Sequence, residues 1–172
     1  MANGSLKDIY LAGLSALYEA ELEIVRVLPR LAEAANCAEL RVALMRHAEE
    51  SRLHRDRLEL IFTHWGARHR SHRCAGLTGI VQEADERLHE ARTVEARDAA
   101  ILGAAQHIEH YEIAAYASVR THARRLNRSD EARLLQETLN EASRADRLYE
   151  SIAAAELAPP PQLPPASMVL ET

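Results

Sequence analysis

The chain has 172 residues and a mass of 19.2 kDa, the size of one compact domain rather than two. Apolar residues make up 47% of it, but aromatics only 4%, with six glycines, so it can build a core yet lacks the residues that shape turn-rich sandwiches and barrels. Its net charge of −5, with acids and bases interspersed, offers no broad basic field for nucleic acid, and no apolar run reaches the length of a membrane span.

Ala, Leu, Glu and Arg dominate the composition, residues that lose little conformational freedom in a helix. The segment Met1 to Asp8 has no basic stretch followed by an apolar one, so no secretory signal is expected. A first helix is predicted from about Ser5 to Ala35, with Ser5 as its cap and Asp8 three residues on, in the pattern of a capping box. Its apolar seam is Leu6, Tyr10, Leu14, Leu17, Ile24, Leu28 and Leu31, and Pro29 is expected to bend the last turns. A second helix spans about Ala38 to Trp65, with Leu40, Leu44, Leu58, Ile61 and Trp65 on its seam and Gly66 as its stop. The basic run Arg68, His69, Arg70, His72 and Arg73 then reads as a solvated loop. A short helix follows at about Gly79 to Ala91, and two long ones at about Val94 to Leu126 and Ser129 to Leu157. Five of the six prolines fall between 159 and 165, so 158–172 is expected to be an extended, mobile tail to a helical domain of residues 1–157. Cys37 and Cys74 have no CxxC spacing, which fits reduced thiols and a cytoplasmic location.

The connections set the topology. The first two long helices are joined by a few residues, as are the last two, so each pair is antiparallel. The stretch Gly66 to Thr93 links the pairs. The expected fold is therefore all-α: a ferritin-like four-helix bundle whose one long crossover carries a short fifth helix.

Polar residues interrupt every long seam. Glu21 stands between Leu17 and Ile24. His47, Glu50 or Ser51, and His54 stand between Leu44 and Leu58. Glu109 and Glu112 precede Tyr116, and Asp146 lies between Ala142 and Tyr149. The helix midpoints lie near Ala20, Ser51, His110 and Ser143, so in an antiparallel bundle these groups meet at one level. Carboxylates converging in an apolar interior must stay protonated or share cations, because desolvation costs several kcal/mol per ion. Carboxylate oxygens with one or two imidazoles suit Fe(II) or Mn(II), and the absence of thiolates argues against structural zinc. Glu50 and His54, at i and i+4, share a helix face. Taken singly, each seam acid reads as a boundary residue; His47 reads as a hydrogen-bonded core histidine, and Tyr18, Tyr111 and Tyr149 as packing residues.

Several stretches carry a family likeness: Leu17-Tyr18-Glu19-Ala20-Glu21; His47-Ala48-Glu49-Glu50-Ser51 with His54 and Leu58; Cys74-Ala75-Gly76-Leu77 with Gly79; Glu109-His110-Tyr111-Glu112-Ile113-Ala114-Ala115-Tyr116; and Leu139-Asn140-Glu141-Ala142 with Asp146. Over about residues 5 to 157 the chain resembles the ferritin-like family of bacterial stress-response proteins typified by YciE and YciF. The resemblance implies a homodimer of helical bundles with a di-metal carboxylate site. By matching position the implied ligands are Glu21, Glu50, His54, Glu109, Glu112 and Asp146. Two iron ions are the implied occupants, with manganese or zinc as alternatives. The family often carries two adjacent glutamates in the last long helix where this chain has Glu141 and Ala142; the inward carboxylate is then missing unless the helix rotates or the Glu141 side chain reaches round, and a mononuclear or metal-free site is the alternative. Two functions follow as expectations. One is a cytosolic stress protein that oxidises Fe(II) or reduces peroxide or O₂ at the metal pair. The other is a non-catalytic dimeric interaction protein with a degenerate site. Neither nucleic acid nor membrane is expected as a partner.

Overall fold

The computed structural model of the chain describes residues 4–69 and 74–156. Five helices account for its regular structure: α1 (Leu6–Ala34), α2 (Ala38–His64), α3 (Ala75–Glu90), α4 (Val94–Arg125) and α5 (Ser129–Glu156). α1 packs on α2 and α4 on α5, while α1–α4 and α2–α5 contacts close the bundle and α3 lies against α4. This is the expected four-helix bundle with a helical crossover. The proline-rich stretch 158–172, and Arg70, His72 and Arg73 of the basic run, lie outside the described residues.

Local chemistry explains the helix ends. The Ser5–Asp8 capping box forms, with Asp8 N–H donating to Ser5 Oγ at 3.2 Å and Ser5 N–H donating to Asp8 Oδ2 at 3.2 Å. α2 is capped from another helix: the Asp98 carboxylate of α4 accepts from the backbone N–H groups of Asn36 at 2.7 Å and Cys37 at 2.8 Å. Gly66 ends α2 in the left-handed conformation, φ 57°; its N–H reaches Thr63 O at 3.0 Å and that of Ala67 reaches Phe62 O at 3.1 Å. Asn127 closes α4 in the same way, φ 57°, and the chain turns directly into α5. Pro29 is accommodated inside α1.

α3 starts four residues earlier than the sequence pattern predicts. Gly76, inside the added turn, answers a packing demand: a Cβ there would sit 2.9 Å from Tyr111 Cε2 of α4. The small residue lets the crossover helix approach α4 and bury Leu77 completely.

The core forms two apolar clusters. One holds Ile24, Leu28, Leu31, Leu44, Ile101 and Ile108; the other holds Tyr10, Leu14, Leu17, Leu58, Ile61 and Tyr116. Between them on each helix lie the polar seam residues, so α1 passes from Leu17 through Glu21 to Ile24 and α4 from Ile108 through Glu109 and Glu112 to Tyr116. A separate knot ties the bundle end beyond the second cluster. There the buried Glu131 carboxylate accepts from Tyr10 Oη at 2.7 Å, Trp65 Nε1 at 2.9 Å and Arg128 Nε at 2.7 Å, joining α1, the end of α2 and α5.

Gly13 marks a close approach of α1 to α4, since a Cβ there would lie 2.9 Å from Val119 Cγ2. Val119 is stiff about χ1 in a helix and cannot swing away cheaply. Gly13→Ala is therefore expected to lower stability by about 1–3 kcal/mol despite alanine's better helix propensity, and adding Val119→Ala to recover part of that loss. Denaturant unfolding of the single and double variants tests this; equal stability of Gly13→Ala and wild type contradicts it.

Candidate metal centre

Glu21 of α1, His47 and His54 of α2, and Glu109 and Glu112 of α4 are all buried at one level of the bundle. Their donor atoms fall into two sets. Glu21, His54 and Glu112 form one; His47, Glu109 and Glu112 form the other; in each, the three donor atoms lie within 4.8 Å of one another. Glu112 belongs to both. Its Oε1 lies 3.6 Å from His54 Nδ1 and its Oε2 lies 2.9 Å from His47 Nε2, so one carboxylate faces two positions.

The surroundings hold these side chains in place. Tyr116 Oη donates to Glu21 Oε1 at 2.6 Å. His54 turns Nδ1 toward Glu21 Oε1, 3.4 Å away, and Nε2 toward Glu141 Oε2, 3.1 Å away. Arg57 grips that same Glu141 carboxylate with both terminal nitrogens and donates to Thr138 Oγ1 at 3.1 Å. An imidazole held through one nitrogen by a carboxylate is the usual way to aim the other nitrogen at a metal. His47 Nδ1 has Glu109 Oε1 at 3.0 Å and Tyr149 Oη at 3.4 Å.

Hydrogen bonding does not satisfy the set. Glu21 Oε2, Glu112 Oε1, both oxygens of Glu109 and His54 Nδ1 are buried without a hydrogen-bond partner. Glu109 Oε1 is close to His47 yet badly aligned for a hydrogen bond. Buried orphan acceptors are rare because each forfeits its hydration. Here they cluster and face one another, an arrangement of donors that could hold a cation.

The electrostatics agree. Burial, reinforced by the neighbouring Glu112 charge, pushes the Glu21 carboxyl up, and the same two causes push Glu109 up to about 11. Burial would also raise Glu112, but His47 and His54 outweigh it and hold that carboxyl at about 2. For His54, burial opposes the charge, yet the carboxylates of Glu112, Glu141 and Glu21 around its two nitrogens carry the imidazole up to about 12. Without metal the pocket thus stores protons on Glu21, Glu109 and His54, and divalent cations would have to displace them.

Of the six residues expected as ligands, Glu21, His54, Glu109 and Glu112 come together. Glu50 and Asp146 stand outside both sets. Glu50 pairs with Arg46 at 3.0 Å, and Asp146 lies 3.1 Å from His110 Nε2, although its charge still bears on Glu109. His47, read from the sequence as a core histidine, belongs to the second set. The signal was its spacing of seven residues from His54, which puts both imidazoles on one stripe of α2. Tyr116, read from the sequence only as a seam residue, and Glu141, read there as a carboxylate that substitutes only by reaching round, both take supporting contacts, on Glu21 and His54. Glu141 reaches round to His54 beside Ala142, which is buried without a polar group.

Comparison with known proteins bears on this geometry. The family model described as "Domain of unknown function (DUF892)" matches residues 5–158. The chain is 34% identical over 143 residues to Protein YciF of Escherichia coli (strain K12), covering 83% of this chain and 86% of that one. It superimposes on the crystal structure of the E. coli stress protein YciF with a TM-score of 0.86 at 32% identity, covering 90% of this chain and 98% of that one. A structure of the Rhodopseudomonas palustris protein YcfI matches with a TM-score of 0.83 at 34% identity over 86% of this chain and 94% of that one.

Glu109 provides a stability test on metal-free protein. Its carboxyl ionises near pH 4.5 in the unfolded chain but stays protonated in the fold to about 11, so native protein holds an extra proton across that window. The contribution is fully present below the unfolded value and is lost as pH rises. Glu109→Gln keeps the neutral shape and removes it. Between about pH 5 and about pH 9 the Tm of the metal-free variant is expected to fall less than that of the wild type. Parallel pH profiles by calorimetry would contradict this.

Proposed function

The chain belongs to the DUF892 family, and from the centre just described we propose that it is a YciF-like stress-response protein binding two metal ions, iron or manganese, at a carboxylate site inside the bundle. The observation that carries this reading is the pair of buried donor sets sharing Glu112, with oxygens that hydrogen bonding leaves unsatisfied. Glu21 and His54 would hold one ion, His47 and Glu109 the other, and Glu112 both. Donors of oxygen and neutral imidazole suit Fe(II) and Mn(II), with zinc as a further occupant.

Such a pair supplies redox chemistry: oxidation of Fe(II), or reduction of peroxide or O₂. The chain's own residues do the rest. Glu141, anchored by Arg57, keeps the His54 Nε2 proton engaged and leaves Nδ1 for the metal. Tyr116 fixes the rotamer of Glu21 through its hydroxyl. The apolar clusters on either side exclude water from the layer.

The reading also places the protein in the cytoplasm, where Cys37 and Cys74 stay reduced, with no membrane or nucleic-acid partner. Among the described residues no helix is long and apolar enough to cross a membrane. It makes the protein a homodimer, for which Val42, Met45, Leu53 and Leu60 leave apolar side chains exposed on α2. A second reading, a dimeric interaction protein with a degenerate site, draws on one observation: α5 contributes no donor to either set, and Ala142 is buried where an inward carboxylate would sit.

Elemental analysis after anaerobic loading with Fe(II) separates the two. The metal reading expects about two ions per chain, about one in Glu21→Ala and fewer than one in Glu112→Gln, which loses the shared ligand. Loaded wild type should melt higher than metal-free protein, and the Glu112 variant should gain little. Near-zero iron in wild type with unchanged Tm would sink the metal reading and leave the interaction protein.

A further inference from the structure

Half-buried carboxylates stand around the buried layer, and they differ in how they are balanced. Glu50 is held by Arg46 at 3.0 Å, and Glu141 by both terminal nitrogens of Arg57. Asp146 has no such clamp. Among the described residues its ion-pair partner is the imidazole of His110, with Nε2 at 3.1 Å from Oδ1. The two are misaligned, so Oδ1 stays buried without a hydrogen bond.

The difference matters chemically. A guanidinium keeps its protons and occupies a carboxylate permanently, whereas an imidazole can release a proton and offer its nitrogen as a ligand. Metal–ligand bonds of about 2.1 Å at right angles put neighbouring donors about 3 Å apart, the spacing of His110 Nε2 and Asp146 Oδ1. The His110 side chain is 64% exposed and that of Asp146 only 15%, so the pair begins at solvent and leads inward. Two protein donors alone hold a divalent ion weakly, which suits transit rather than storage.

On its inner side the pair meets the second donor set. Asp146 lies near enough to Glu109 for its charge to act on that carboxyl. Both Glu109 oxygens are buried without a hydrogen-bond partner. His110, Asp146 and Glu109 thus form a file of donors from the surface toward His47 and Glu112. A cavity of about 300 Å³ between α2 and α5 also reaches His47, but Arg46 and Arg144 line it against one acid, Glu50. That excess of positive charge repels a divalent cation, whereas the carboxylate of Asp146 attracts one.

The geometry points to His110 and Asp146 as the entry port of the centre: the pair takes a divalent cation from solvent and passes it to Glu109 and the second donor set. The inference rests on the metal reading and adds the path by which the layer is loaded. In it Asp146 is a transit ligand and not a resident one.

Stopped-flow mixing of metal-free protein with Co(II) at low ionic strength tests this. The visible cobalt bands report arrival, and elemental analysis gives the final content. Asp146→Asn keeps the side-chain shape, removes the charge and should slow uptake about tenfold while reaching the cobalt content of wild type. His110→Gln, at an exposed position, should slow it severalfold with the same end point. Full loading also shows that both variants fold. Arg144→Gln, in the cavity wall, should leave the rate unchanged, and added salt should narrow the gap between wild type and Asp146→Asn. Wild-type rates in Asp146→Asn or His110→Gln, or severalfold faster uptake in Arg144→Gln, overturn the port while the metal reading stands. A lower final cobalt content in Asp146→Asn also overturns it, because Asp146 is then a resident ligand. A wild-type chain that takes up no cobalt overturns both.

Discussion

Three carboxyl groups and two imidazoles share one buried layer of this bundle, with several of their polar atoms left unpaired. Among the described residues, Glu131 is the one other acidic or imidazole side chain buried this deeply. Ionised carboxylates at this depth cost several kcal/mol each unless compensated, and their mutual repulsion adds to that. The metal-free fold copes by concentrating charge. Glu112 carries the negative charge, His54 the positive one, and Glu21 and Glu109 are driven to their neutral forms. Such an arrangement gains little for a purely structural protein, in which apolar side chains of similar volume would serve as well or better.

The rest of the architecture keeps that layer rigid and dry. An apolar cluster lies on each side of it along the helices. The Glu131 knot beyond one cluster and the Asp98 cap on α2 fix the vertical register of the helices, so that residues far apart in sequence stay level. Around the layer, Tyr116, Glu141 and Arg57 do not enter either donor set but settle which atom of each donor faces inward. Ala142 removes a polar group from α5, and the neighbouring Glu141 takes up a supporting position on His54 instead.

Much of this was legible in the sequence because long helices obey a simple period. The seams of α1, α2, α4 and α5, the Ser5–Asp8 capping box and the Gly66 stop all follow from local spacing. So does the level at which Glu21, His54, Glu109 and Glu112 meet, since antiparallel helices of similar length align their midpoints. What local spacing could not supply was rotation about each helix axis and the reach of side chains. Glu50 sits one turn from His54 on the same helix yet turns to Arg46, and Asp146 turns to His110. His47 was visible on the seam, but a lone histidine in a core is ordinarily structural; only the facing Glu109 and Glu112 change its meaning. The early start of α3 was hidden for a similar reason, because Gly76 answers to Tyr111 on another helix rather than to its own sequence neighbours.

The central claim is that Glu112 lies between two cation positions. A crystal soaked anaerobically in Fe(II) and measured across the iron absorption edge tests it directly. The account predicts two anomalous peaks on opposite sides of the Glu112 carboxylate, one beside Glu21 and His54 and one beside His47 and Glu109. A fully soaked crystal with no peak in this layer, or with iron only at surface carboxylates, would contradict it.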